Sequence, residues 1–394
     1  MITWRQGRVL EVLPGWAGAL VLQVAVAAEQ DSSETSLRAL AYPELVGTPV
    51  VGDRVLLNAT ALHRGLGTGG YALVVAVPDR PEAWPTDRDG QAGHLVKARY
   101  TPLQPMVLGV DDPEGEHHAA LADADSLDGM PVVATDLHSA LPAVLAGIRD
   151  EAPEARVAYV MSDGGALPLA WSRTVAGLRE AGWLACTITA GQAFGGDLEA
   201  VTVHTALLAA RHVVGADLAV VVQGPGNLGT ETRWGFSGVA AGEALNAAAV
   251  LDGRPVAGLR VSQADARPRH QGLSHHSRTA FGRVLAHPAD LPIPVAFPPS
   301  PTERALCTDR ASAVHRPGER PALDACLERV AEQAAELVAE APHLRAVPVP
   351  TQGLLEALRH TPVRLSTMGR GLEDDPAAFV AAAVAGRHAA SLLR

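Results

Sequence analysis

From Met130 onward the chain repeats one pattern: a short, almost uninterrupted apolar run, then a longer segment with helical periodicity. The runs are MPVVATD, ARVAYVMSD, WLACTITA, ADLAVVVQG and RPVAGLRVS. The segments after them are LHSALPAVLAGIRDEA, LPLAWSRTVAGLREAG, DLEAVTVHTALLAARHVVG, SGVAAGEALNAAAVL and SHHSRTAFGRVLA. A strand that is apolar on both sides must be covered on both sides. A parallel sheet sandwiched by helices does this, and a half-solvated antiparallel sheet does not. The expected class is α/β, with a doubly wound, mostly parallel sheet. The tail adds Leu323, Leu327, Val330, Ala334 and Leu337 at helical spacing. LRAVPVP follows as a short strand, with TQGLLEALRH and DDPAAFVAAAVAGRHAASLL as closing helices.

The first 80 residues follow a different rule. RVLEVL, ALVLQVAVA, LRALAYPEL, GDRVLLNATAL and YALVVAVP are short Val- and Leu-rich runs separated by Gly, Pro, Asp and Ser. Residues 1–80 are therefore expected to form an all-β, barrel-like domain of five or six strands, with Gly52-Asp53 as a tight turn. Residues 81–93 are rich in Pro, Asp and Gly without a hydrophobic period, and read as a linker or surface loop. Residues 94–394 then make up a Rossmann-like α/β domain.

Composition removes several function classes. A net charge of -11 argues against a broad basic face for phosphate backbones, so no nucleic-acid partner is expected. The longest apolar stretch near the start, GWAGALVLQVAVAA, falls short of the ~20 residues of a membrane-spanning helix. MITWRQGRVLEV lacks a signal-peptide apolar core, so no membrane partner and a cytoplasmic location are expected. Cys186, Cys307 and Cys326 form no C-x-x-C pair, and an odd count argues against a disulfide scaffold.

Two stretches fit G-x-G-x-x-G. GLGTGG at 65–70 leads into a strand, and reads as a turn of the β domain. The second comprises Gly224, Gly226 and Gly229, with Asn227 and Thr230, after the strand ADLAVVVQ. In doubly wound sheets ligands sit at such strand ends. The next helix is expected near Ser237, too far from Gly229 for a dinucleotide loop that runs straight into its helix. Backbone N–H groups of this loop are a candidate cradle for another anion. In the helix that follows, Glu243 and Asn246 are the strong polar groups, three apart and on one face.

The densest polar patch is ADARPRHQGLSHHSRTAFGRV, with Asp265, Arg267, Arg269, His270, His275, His276 and Arg278. Ser274 suits a helix N-cap, which places His275 and His276 in the first turn, where the helix dipole favours neutral imidazole. A neutral ring suits a general base. Adjacent helical residues diverge by about 100°, so the pair is not expected to share a metal and no metal ligand is assigned. His138 and Ser139 follow one strand and Asp163 another, positions that helix capping also explains. Arg370, in RLSTMGRG, lies where it could close a site.

Several blocks together resemble a bacterial family of unknown function, family 3866. They are YPELVGTPVVGDRVLLNATAL…GLGTGGYALVVA, GHLVKARYTPLQ, GPGNLGTETRWGFSGVAAGEALNAA, ADARPRHQGLSHHSRTAFGRV and STMGR, spanning about residues 5–390. The resemblance implies a cytoplasmic bacterial protein without an assigned activity, and carries over no catalytic residue.

The leading expectation is a hydrolase or transferase acting on a small anionic, phosphorylated or nucleotide-like molecule. Gly224 to Thr230 would hold the anion, Arg267 and Arg269 would add charge, and His275 or His276 would act as general acid or base, oriented by Glu243 or Asp163. His138, Ser139, Asn246 and Arg370 complete the expected ligand contacts. The alternative is a non-catalytic ligand-sensing or assembly module, and a third reading is a dinucleotide-binding oxidoreductase. No cofactor is assigned, and homo-oligomerisation is left open.

Overall fold

In the computed structural model, residues 2–27, 34–81, 93–295 and 319–394 are described. Most of the linker expected at 81–93, and Cys307, lie outside the described residues. The chain forms two compact units, Met1–Val107 with Pro168–Ala176, and Leu108–Leu167 with Gly177–Arg394.

The first unit is built on a closed barrel of five strands: β1 (Trp4–Trp16), β2 (Ala19–Ala27), β3 (Glu34–Ala41), β4 (Arg54–Asn58) and β5 (Tyr71–Ala76). Their order is β1-β2-β3-β5-β4, with β3 and β5 parallel and β1 closing on β4. Closure removes the exposed edges that an open five-stranded sheet would present. Val9, Leu22, Val24, Ala39, Val55, Leu57, Ala72 and Val74 fill the interior. The turn expected at Gly52-Asp53 is present. Gly52 has φ +93, a region that costs glycine little, and Asp53 Oδ2 accepts from Val50 N–H at 2.8 Å. Beyond the barrel, the unit holds a short antiparallel pair, β6 (Leu95–Val96) with β7 (Met106–Val107).

The second unit carries an eight-stranded sheet. Its strands are β8 (Pro131–Ala134), β9 (Val157–Ser162), β10 (Cys186–Ala190), β11 (Leu198–Ala200), β12 (Leu218–Gln223), β13 (Arg254–Ala257), β16 (Ala289–Val295) and β17 (Leu344–Pro350). A separate small pair is β14 (Val261–Ser262) with β15 (Gly272–Leu273). The order is β11-β10-β9-β12-β8-β13-β16-β17, and every pairing is parallel. The inner strands β8, β9, β10 and β12 are buried at every position, which accounts for their unbroken apolar runs.

Several elements depart from the expected pattern. LPLAWSRTVAGLREAG, expected as one helix, is a 3-10 turn at Leu169–Trp171 followed by a helix over Arg173–Glu180. The segment expected as one helix from Asp197 begins as edge strand β11, and its helix is Val203–His212, because Thr202 caps it by accepting from Thr205 N–H. The run RPVAGLRVS breaks into β13 and β14, with Gly258 and Arg260 between them. Strand β16, ADLPIPV, had no sequence expectation, since Pro292 and Pro294 argue against an inner strand. Its pairing with β13 is confined to Val256–Asp290, so the prolines remove no donor from that ladder.

The topology creates the crevice. The chain leaves β8 toward the β11 edge, whereas from β12 and β13 it moves toward the β17 edge. Right-handed crossovers in opposite directions put the following helices on opposite faces. Helix Leu141–Glu151 packs on Leu354–Arg359 and Pro376–Ser391, and helix Ala240–Val250 packs on Val203–His212 and the turn Ala280–Val284. Strands β8 and β13 stay paired to their last residues, Ala134 and Ala257, while the connections that leave them run to opposite faces, the arrangement that opens a binding crevice in α/β sheets.

Candidate functional site

Three loops and one helix start meet at this rim. Asp136 lies just beyond β8 and Arg260 just beyond β13. Gln223, the last residue of β12, donates through Nε2 to the Asp136 carbonyl at 2.8 Å. Gly238 allows the 3-10 turn Ser237–Val239 to approach, since a Cβ there would lie 2.6 Å from the Asp136 Cβ. Helix His275–Thr279 starts as its sequence indicates, with Ser274 Oγ accepting from His276 N–H at 3.2 Å.

These elements bring Asp136, Arg260 and His276 into contact. Arg260 Nη1 lies 3.2 Å from Asp136 Oδ2 and 2.9 Å from His276 Nδ1, and Nδ1 is 3.3 Å from the same carboxylate oxygen. Guanidinium only donates. His276 therefore has two hydrogen-bond states. Either its bare Nδ1 accepts from Arg260, or an Nδ1–H donates to Asp136. Burial acts to raise the Asp136 pKa, but the Arg260 charge and the His276 bond outweigh it and hold the carboxyl below its usual range. Phe236 stacks on the His276 ring with centroids 3.7 Å apart and planes within 8°.

Two further imidazoles close on this group. Ring centroids of His270, His275 and His276 lie 4.4 to 5.0 Å apart, and one nitrogen from each falls within 4.8 Å of the others. The expectation that neighbouring imidazoles point apart does not hold here. His275 is the first residue of the helix, as expected, and its ring lies 4.4 Å from that of His276, while His270 enters from a separate 3-10 turn, Pro268–His270. His270 Nδ1 is 2.7 Å from Ser274 Oγ. Burial first, then the charges of Arg260 and Arg267, lower the His270 pKa to about 3. Burial and then His276 and Arg269 lower that of His275 to about 4. His275 Nε2 is buried without a hydrogen-bond partner among the described residues. Such an atom costs about 1–3 kcal/mol.

Beside this cluster, and sharing Asp136 and Arg260 with it, is a small solvent-open cleft. Ser139, Ser262, Asp265 and Arg370 line it as well. Ser139 Oγ donates to Thr367 Oγ1 at 3.0 Å. Arg370 Nε donates to Asp375 at 3.0 Å, while its Nη2 is 3.5 Å from Asp265 and from Ser262. Arg267 forms a two-point pair with Asp265, both bonds 2.9 Å, which holds the Asp265 carboxyl far below its usual range. Arg269 pairs with Glu231 at 3.2 Å. Both arginines expected to meet an anion thus already face a carboxylate.

The glycine loop reaches the cluster through Glu231 and Phe236, but much of its backbone is committed to its own closure. Leu228 N–H donates to Ser237 Oγ at 3.0 Å, Ser237 Oγ donates to Asn227 Oδ1 at 2.6 Å, and Thr230 N–H donates to the Gly235 carbonyl at 2.7 Å. Gly229 bridges to Phe236. Gly224 packs tightly, since a Cβ there would lie 2.6 Å from Leu167 Cδ2. Gly226, at φ +104, faces open space. Helix Ala240–Val250 starts well past Gly229, so the strand–turn–helix entry of a dinucleotide loop is absent from this stretch.

Other sequence candidates are placed elsewhere. Glu243 is exposed on its helix. Asn246 ties that helix to the next segment, donating to the Val284 carbonyl at 3.0 Å and accepting from Ala286 N–H at 2.8 Å. Asp163 accepts from the N–H groups of Gly165, Ala166 and Gln192, at 3.0, 3.0 and 3.1 Å. His138 is buried with Nδ1 3.3 Å from the Tyr159 hydroxyl, and burial pulls its pKa down to about 4. The carboxylate beside His276 is Asp136, in place of Glu243 or Asp163. Asp136, Arg260 and Phe236 were not among the sequence candidates. Asp136 had one signal, its place beside a strand end, and Arg260 had none.

Fold and site together define a doubly wound α/β protein with a histidine cluster, backed by a buried carboxylate, at the switch point of its sheet. Over residues 38–386 the chain matches the family described as Protein of unknown function (DUF3866), and it belongs to that family. No curated protein and no solved structure matched the chain.

Proposed function

We propose that the protein is an enzyme, a hydrolase or transferase, acting on a small anionic molecule, phosphorylated or nucleotide-like, seated in the cleft beside Arg370. The buried Asp136–Arg260–His276 group carries this reading. Burying a carboxylate and a guanidinium is costly, and apolar contacts serve a purely structural rim as well or better. Such groups cluster at working sites, and this one lies where sheets of this class bind ligands.

Arg370 supports the anionic part. Asp375 and Asp265 both face it, but only Nε is committed, to Asp375 at 3.0 Å; the two Nη2 contacts at 3.5 Å are long for hydrogen bonds, so the planar fork keeps donors for a carboxylate or phosphate. Cys186 and Cys326, both buried thiols, fit a cytoplasmic setting.

The test is thermal unfolding of the full chain against a panel of phosphorylated and carboxylated metabolites, followed by NMR of each stabilising compound for turnover. At least one anion should stabilise the protein and be consumed, and Arg370→Ala should lose the thermal shift. The anionic reading fails if no anion stabilises the protein, or if Arg370→Ala shifts as much as wild type. Stabilisation without turnover makes the protein a ligand sensor.

A further inference from the structure

We infer that His270, His275 and His276 together bind one divalent transition-metal ion, with Asp136 as the outer carboxylate that orients His276. This builds on the reading of the rim as an enzyme site, but metal binding is measured independently of any substrate.

The three rings already converge. Zn–N bonds of about 2.0–2.1 Å at tetrahedral angles put ligand nitrogens about 3.3 Å apart. The nitrogens here lie within 4.8 Å, so closing on an ion asks each ring to move by less than about 1 Å. Each ring also has one nitrogen to offer. Nδ1 of His270 is taken by Ser274, and Nδ1 of His276 by Arg260 and Asp136, which leaves Nε2 on both. His275 supplies the buried Nε2 that no described residue satisfies. An ion would satisfy it.

The surroundings fit such a centre. Metal-bound imidazoles commonly donate their second N–H to a carboxylate, which fixes the ring and raises its basicity. Asp136 stands 3.3 Å from His276 Nδ1 in that role, and binding at Nε2 selects the state in which Nδ1–H donates to Asp136. The nearby cations do not leave the site strongly positive, because Arg260, Arg267 and Arg269 are matched by Asp136, Asp265 and Glu231. Three imidazoles suit zinc, cobalt, nickel, copper or iron and not magnesium or calcium. A fourth position on the ion would hold a polarised water, the nucleophile a hydrolase needs.

The experiment is titration of chelator-treated full-length protein with Co(II), read by its visible ligand-field bands and by bound metal after desalting. The expected result is one Co(II) per chain with tetrahedral bands, displaced by Zn(II) and lost in His270→Ala and in His275→Ala. Asp136→Asn should weaken binding by about 10–100-fold, and Arg370→Ala should leave it unchanged. Circular dichroism checks that each variant folds. The inference is overturned if the wild type takes up no stoichiometric Co(II), or if folded His270→Ala and His275→Ala variants bind as the wild type does. Anion stabilisation of metal-free protein is scored separately, so either reading can fail while the other stands.

Discussion

The pair Asp136 and Arg260 offers a direct energetic test of the rim. Only 3% of the Asp136 side chain and 9% of the Arg260 side chain is exposed, so each charge is largely withdrawn from water although both border the cleft. Removing one partner of a buried ion pair strands the other and costs about 3–5 kcal/mol. In Asp136→Ala, His276 Nδ1 still accepts one bond from Arg260 but supplies no countercharge. In Arg260→Met, the carboxylate keeps a single imidazole contact. Each single variant should therefore lose about 3–5 kcal/mol, and the double variant Asp136→Ala/Arg260→Met should lose no more than the worse single, since apolar replacement of both charges is often neutral. That corresponds to a coupling of at least about 3 kcal/mol, at the upper end for contacting residues. At 2–4 °C per kcal/mol for a unit of this size, each single change lowers the melting temperature on the order of 10 °C. The assay is urea unfolding of chelator-treated protein by circular dichroism, with calorimetry as a check. Additive losses, with the double variant near the sum of the singles, would refute the claim that the two charges are held for each other.

Two further outcomes probe the scaffold. Helices Leu141–Glu151 and Pro376–Ser391 cross with backbones touching: a Cβ on Gly147 would collide with the Ala383 carbonyl, and one on Gly386 with the Val144 carbonyl. Gly386→Ala should cost at least about 1–3 kcal/mol, because backbone cannot step aside as a side chain can, and an unchanged urea midpoint would contradict that crossing. At the other edge, Asp290 accepts from His388 Nε2 at 2.8 Å and from Arg345 Nε and Nη2 at 2.6 and 2.8 Å. Burial alone would raise its pKa, but these partners lower it from 3.8 to about 2. A depressed carboxyl stabilises fully above its unfolded pKa and loses that contribution as pH falls through its folded value. About 2 kcal/mol should therefore disappear between about pH 4 and pH 2. Asp290→Asn should lower stability at neutral pH and flatten that acid limb, and an equally steep limb in the variant would rule the assignment out.

The strands of the parallel sheet were legible because a strand buried on both faces must be apolar throughout, as β8, β9, β10 and β12 are. The helix start at Ser274 was legible for an equally local reason, since the cap and the residues it serves are neighbours in the chain. Strand β16 was hidden by its own prolines, whose missing donors matter only when the neighbouring ladder is known. The barrel order, with β5 inserted between β3 and β4, likewise depends on which distant strands pair.

At the site, local signals marked the right stretch of chain but not its partners. His275 and His276 stood out in sequence, yet the carboxylate beside His276 is 140 positions away, and Glu243, the nearer acidic candidate, faces solvent. In sequence Arg267 and Arg269 stand as open cations; in the fold Asp265 and Glu231 face them. From the residues alone one can tell that this is a doubly wound α/β chain with a barrel-like start and a histidine-rich strand end, because those properties follow from periodicity and short-range capping. That Asp136, Arg260 and three imidazoles share one rim was decided by the tertiary structure, because the placing of β13 beside β8 is set by burial across the whole sheet and by no feature of either segment.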